Sequence, residues 1–245
     1  LGKVPARLVQ DLVIGIHKSR SVNLTAISKA LEEDIELHAT HKRLSRNLAR
    51  GSQLIEPIAD QILTMGARLV HADTPIVVYR RSLKKRYAQR MEYLLPADDD
   101  AGGASGYHVC EIVAVDKRQD KQVPLLTSLW SENAPGFVSH TEQILAAIRR
   151  VMGATDGRGV VCLDDATVPF EVAAELADHS DYDFIARCDP NLEVIHRRSC
   201  QRISELTRDC DTPYGKTLFK LLRQPGDPGA PLHEFSVFLH FGALD

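Results

Sequence analysis

GVVCLDDATVPFEVAAELADHSDYDFIAR, residues 159–187, decides the fold. Gly159–Leu163 is an unbroken apolar run rich in valine, the pattern of a buried strand. It stops at Asp164-Asp165. Pro169 suits the first turn of a helix, and Val172, Ala173 and Leu176 recur at helical spacing. Tyr182–Arg187 reads as a second strand. Strand, helix, strand predicts an α/β arrangement. Asp164 then stands where a buried parallel strand ends, the edge at which α/β sheets place ligands. A carboxylate there can hold Mg²⁺ or Mn²⁺, which prefer oxygen ligands. Two such ions can activate a water or a 3′-hydroxyl for phosphodiester displacement. The plainer reading of Asp164 is a turn residue, with Asp165 capping the helix that Pro169 opens.

Upstream, Ser139 and Glu142 form an S-x-x-E capping box, and Ile144, Leu145, Ile148, Val151 and Met152 continue a helix to Gly153. Before it, His108–Val115 and Val123–Trp130 read as strands joined by the turn DKRQDKQ, an antiparallel hairpin or meander. Ile76–Val78 is a further strand after Pro75, and DDDAGGASG at 98–106 is a surface turn. Three hairpin-joined strands followed by helix, strand, helix, strand is the element order of a ribonuclease H-like mixed sheet.

Between those strands lies YRRSLKKRYAQRMEYL, residues 79–94. It holds Arg80, Arg81, Lys84, Lys85, Arg86 and Arg90 directly after an apolar strand. Clustered cations at a fixed place neutralise phosphates. The net charge of −3 conceals a split. Residues 1–91 hold 16 Lys and Arg against 8 Asp and Glu, and residues 92–245 hold 14 against 25. A basic first third predicts a polyanionic partner; the bland alternative is chance segregation of solvated faces.

The first third is helical by pattern. Leu8, Leu12 and Ile16 mark a helix over 4–16, Ser21 and Asn23 precede a short one, and a third spans 38–50 with Gly51 after it. On that third helix Lys42, Arg43, Arg46, Asn47 and Arg50 are expected on one face and Leu37, His41, Leu44 and Leu48 on the other. Three short helices with Arg and Asn on the last fit a helix-turn-helix-like module, since both side chains can pair with base edges. The alternative is a solvated face of a plain bundle. A fourth helix is expected over about 52–66.

The remaining features are mostly exclusions. No apolar run approaches the length of a membrane span, and Asp11 interrupts the N-terminal apolar run, so no signal peptide is read there. Five cysteines without C-x-x-C spacing read as reduced thiols in a cytoplasmic protein, not as a zinc site. Glycine-rich nucleotide motifs are absent. His38 and His41 lack further ligands, and His196 and His240 read as structural. Beyond Pro190, Leu192–Val194 and Phe235–Phe241 are strand-like around the turn PGDPGAP, a β-rich addition expected to continue past Asp245.

Taken in order, SRSVNLTAISKAL…THKRLSRNLARG, VVYRRSLKKRYAQRMEYL, YHVCEIVAVD…VPLLTSLWSENAPGF and GVVCLDDATV resemble the DDE-type transposases of bacterial insertion sequences. KKRYAQRMEYL and SENAPGF carry the resemblance most specifically. It implies a helical DNA-binding domain at 1–68, a ribonuclease H-like catalytic core at 69–190, and part of a β-rich insertion at 191–245. It further implies Mg²⁺- or Mn²⁺-dependent cleavage and strand transfer at transposon ends, on double-stranded DNA, by a dimer associated with the nucleoid. Asp164 matches the family's second catalytic and metal-binding Asp. The first falls at Tyr79, a phenol that cannot replace a carboxylate at neutral pH, and the third is expected beyond residue 245. The expectation is a DNA-binding chain that is catalytically incomplete. The alternatives are a non-catalytic DNA-binding regulator and a different ribonuclease H-like nuclease with Asp164 near Asp116, Glu111 or Asp183.

Overall fold

A computed structural model describes residues 2–85, 91–95, 105–116, 121–164, 167–179, 181–186, 191, 193–196, 199–202, 204–205, 215–221 and 233–239. The chain is mixed α/β and divides into two compact units, Leu1–Gln61 and Ile62–Asp245. The division falls inside a helix.

The first unit holds α1 (Lys3–Ser19), α2 (Leu24–Ala30), α3 (Leu37–Ala49) and the start of α4 (Ser52–Ala67). Leu8, Ile27 and Leu44 form its core, with Leu12, Leu24, Leu31 and Leu54 packed around them. Asn23 caps α2 by accepting from the backbone N–H of Thr25 (2.9 Å) and Ala26 (3.3 Å). α1 runs past Gly15, which is buried. A β-carbon at Gly15 would collide with the Ile27 side chain, so the glycine lets α1 and α2 approach closely.

The second unit is built on a five-stranded sheet in the order β3-β2-β1-β4-β5. Its strands are β1 (Pro75–Lys85), β2 (Ser105–Asp116), β3 (Lys121–Trp130), β4 (Val160–Leu163) and β5 (Phe184–Ala186). β1, β2 and β3 pair antiparallel, whereas β4 and β5 run parallel to β1. The first strand is longer than the apolar run suggested, because the basic residues 80–85 continue the β2 ladder. α5 (His140–Ala154) and α6 (Phe170–His179) supply the crossovers around β4. Ser139 caps α5 by accepting from the Glu142 N–H at 3.1 Å.

Strand alternation fixes the two faces of this sheet. Ile76 and Val78 of β1, Ile112 of β2 and Val161 of β4 share a core with Ile144, Ile148 and Val151 of α5 and Val172 and Leu176 of α6. Residues 77, 79 and 81 therefore point to the opposite face. Gly159 enters β4 at φ +103°, and a β-carbon there would stand 2.5 Å from Ile76 Cδ1. Only glycine fits both conditions. A second sheet has the order β7-β6-β8-β9, from β6 (Glu193–His196), β7 (Ser199–Arg202), β8 (Gly215–Leu221) and β9 (His233–Leu239). β7 and β8 were not foreseen; the turn 225–231 lies outside the described residues.

Candidate functional site

The chain leaves β4 at Asp164, whose N–H donates to Val78 O at 3.1 Å and adds one rung to the β1–β4 ladder. Since Val78 pairs with Leu163, Tyr79 stands beside Asp164. Tyr79 also pairs directly with Glu111 of β2. Glu111 and Tyr79 thus share the face opposite α5, and Asp164 follows β4 level with Tyr79. The Asp164 carboxylate is braced: Thr167 Oγ1 donates to Oδ2 at 2.8 Å. Arg80 fixes Thr167 twice, its N–H donating to Oγ1 (3.0 Å) and its Nε to the carbonyl (3.1 Å).

Tyr79 is the residue that decides the chemistry here. Partial burial and the adjacent Glu111 carboxylate push its phenol above the ordinary value, so it stays protonated at neutral pH. Glu111 lies two strand spacings from Asp164, about 10 Å of backbone, and is paired with Arg81. Mg²⁺ needs near-octahedral oxygen ligation at short distance. Among the described residues, the Asp164 carboxylate beside a neutral phenol does not fit that need. Asp183 and Asp116 do not help. Val161 N–H donates to Asp183 O, and Ala114 pairs with Ile76, so both acids sit at the opposite end of the sheet. Asp165 lies outside the described residues.

The basic segment is divided by its strand. Arg80 points to the α5 side and is spent on Thr167; Arg81 faces the other side and pairs with Glu111. Lys84 is exposed and Lys85 closes the strand. Arg86 and Arg90 lie outside the described residues.

On α3 the inward stripe is Thr40, Arg43, Leu44 and Asn47, which corrects the expected face. Arg43 is no outer residue. Its guanidinium donates to Asp11 (2.6 Å) and to both Glu33 oxygens (2.9 and 3.0 Å). The Thr40 hydroxyl also donates to Glu33 at 2.8 Å. Burial opposes the Glu33 charge, but Thr40 and Arg43 outweigh it and hold the carboxyl below its ordinary range. Leu37 and Leu48, expected inside, are exposed. Lys42, Arg46 and Arg50 are exposed and form a cationic stripe at i, i+4 and i+8.

One cluster has no counterpart in the sequence reading. His108 and His140 both place Nε2 on Glu132 Oε1, at 3.1 and 2.9 Å. The three ligand atoms lie within 4.8 Å of one another, a spacing compatible with a metal ion. The outer hydrogens oppose one. Trp130 Nε1 donates to His140 Nδ1 at 3.1 Å. An indole nitrogen only donates, so His140 Nδ1 carries no proton and its Nε2 does. His108 Nδ1 is buried without a partner. A metal on Nε2 would require an N–H at each Nδ1, one facing a donor and the other facing nothing. The hydrogen-bond geometry fits instead a carboxylate that accepts from two imidazole N–H groups. Burial, then the neighbouring His140, lowers the His108 pKa below its ordinary value of 6.5.

Compared with known proteins, the chain matches no family model and no curated sequence. No helix among the described residues is long and apolar enough to cross a membrane.

Proposed function

We propose that this chain binds double-stranded DNA and belongs to the DDE transposase lineage, with a ribonuclease H-like sheet that has lost its metal cage. The observation that carries the reading is the hydrogen bond from Asp164 N–H to Val78 O just past the carboxyl end of β4, which sets Asp164 level with Tyr79 of β1. The sheet order β3-β2-β1-β4-β5 and the resemblance over residues 79–94 and 131–137 support the same lineage. A phenol that stays protonated offers no carboxylate from position 79 to a divalent ion at Asp164. Binding is assigned to the exposed stripe Lys42, Arg46 and Arg50 and to Lys84, because Arg43, Arg80 and Arg81 are engaged within the fold.

Two measurements test this. Supercoiled DNA incubated with the chain and Mg²⁺ or Mn²⁺ should remain uncut; metal-dependent nicking abolished by Asp164→Ala would overturn the loss of catalysis. Affinity for duplex DNA should fall with salt, and each alanine at Lys42, Arg46 or Arg50 should flatten the log–log slope by about 0.9. An unchanged slope in the triple variant removes α3 from the interface.

A further inference from the structure

The SENAPGF segment, residues 131–137, is the loop between β3 and α5, and its ends are fixed: Ser131 is buried and Phe137 packs against the second core. Between them, His108 of β2 and His140 at the start of α5 both set Nε2 on the same oxygen, Glu132 Oε1, at 3.1 and 2.9 Å. Asn133 follows directly, and its backbone N–H donates to Ser131 Oγ at 3.2 Å. Its side chain reaches out of the loop, where Nδ2 donates to the Leu94 carbonyl at 2.8 Å. Leu94 closes the basic segment 79–94. The neighbouring backbone is also tied to β2, by Tyr107 Oη to Glu92 O (2.7 Å) and by Leu95 N to Gly106 O (3.1 Å).

We infer that Asn133 is a positioning residue for DNA contact: it holds residues 91–95 against the second unit, with Glu132 as the fixed point from which it reaches. The DNA role rests on the function proposed above. Bonds to β2 alone leave residues 91–95 able to swing about the start of that strand. A tie from a different element removes the swing. That tie holds only if Asn133 is itself fixed, and two imidazoles on one acceptor fix the residue before it. A segment ordered before it meets DNA binds without the ordering cost that a loose one carries. The charges of Lys84 and of the α3 stripe are untouched by the tie, so it sets affinity and not salt dependence.

The Leu95 amide reads the tie in the intact chain, because it donates to Gly106 O beside the Asn133 contact. At one fixed pH its hydrogen exchange should quicken about two- to tenfold in Asn133→Ala, the effect of losing one hydrogen bond. Glu132→Ala should quicken it by a similar factor, although the Glu132 carboxylate is spent on His108 and His140. Glu132→Gln should keep the native rate, since one amide oxygen can accept both imidazole N–H groups. Added to Asn133→Ala, Glu132→Ala should bring no further change, because both act through the same tie; a general loosening of the sheet would add in full. Duplex-DNA affinity of Asn133→Ala should fall about two- to fivefold with the log–log salt slope unchanged. An unchanged Leu95 rate in Asn133→Ala, additive rates in the double variant, or a rate in Glu132→Gln as fast as in Glu132→Ala would each overturn the tie. If the native chain binds no DNA, the binding function fails and Leu95 exchange still decides the tie. If Leu95 exchange quickens in Asn133→Ala while DNA affinity holds, the positioning role in DNA contact fails.

Discussion

At residue 79 a phenol stands beside Glu111 and level with Asp164, and its neutral hydroxyl adds no third negative charge to a row in which Arg81 already pairs with Glu111. Tyr79→Asp should place three like charges on adjacent strands and lower stability by about 1–3 kcal/mol. Millimolar Mg²⁺ should recover part of that loss in the variant and leave the native melting temperature unchanged, as measured by thermal unfolding. Recovery in the native chain would contradict the account of Tyr79. Gly159→Ala should also destabilise, by about 1–3 kcal/mol, because φ +103° is strained for alanine and the methyl meets Ile76. Part of this was legible in sequence: Asp164 at a strand end. The Glu111 neighbour was not, because it follows from the β1–β2 register, which no local pattern specifies.

Among the elements, α3 shows how a period can be read correctly and its face misjudged. The leucines at 37, 44 and 48 suggested the inner stripe, yet only Leu44 is buried. Thr40 and Arg43 turn inward because Glu33 and Asp11, distant in sequence, give them charged partners. Arg43→Ala leaves two mostly buried carboxylates with only the exposed Arg7 as cation and should cost about 1–3 kcal/mol in chemical denaturation. The Glu33 carboxyl is depressed in the folded state, so its stabilisation is full above about pH 4.5 and is lost as pH falls further. Acid titration of helical circular dichroism should show that loss and should not show it in Glu33→Gln. The His108–Glu132–His140 cluster was hidden for the same reason as Glu111. A strand, a loop and a helix start each contribute one residue, and neither spacing nor composition links them.

On the scale of the whole molecule, two cores among the described residues share no residue: Leu8, Ile27 and Leu44 in one unit, the α5–sheet layer in the other. Leu44→Ala should cost about 2–5 kcal/mol in the first. It should lower the melting of the helical signal and leave the unfolding transition seen by Trp130 in place, since that residue belongs to the second core. A single coincident shift of both signals would show that the units unfold together. The charge split was plain in the sequence and α/β alternation gave the sheet; the second sheet was only half foreseen, because β7 and β8 are short polar-edged strands whose pairing, not whose pattern, defines them.

The brace from Arg80 through Thr167 to Asp164 does not involve the side chain at 79. Codons for tyrosine and aspartate differ at a single base. One such substitution would therefore deliver an acid to a frame already built, with the backbone, the turn and the neighbouring strand unchanged. Under the proposed function, the scaffold would stand a single mutational step from carrying a carboxylate at that rung.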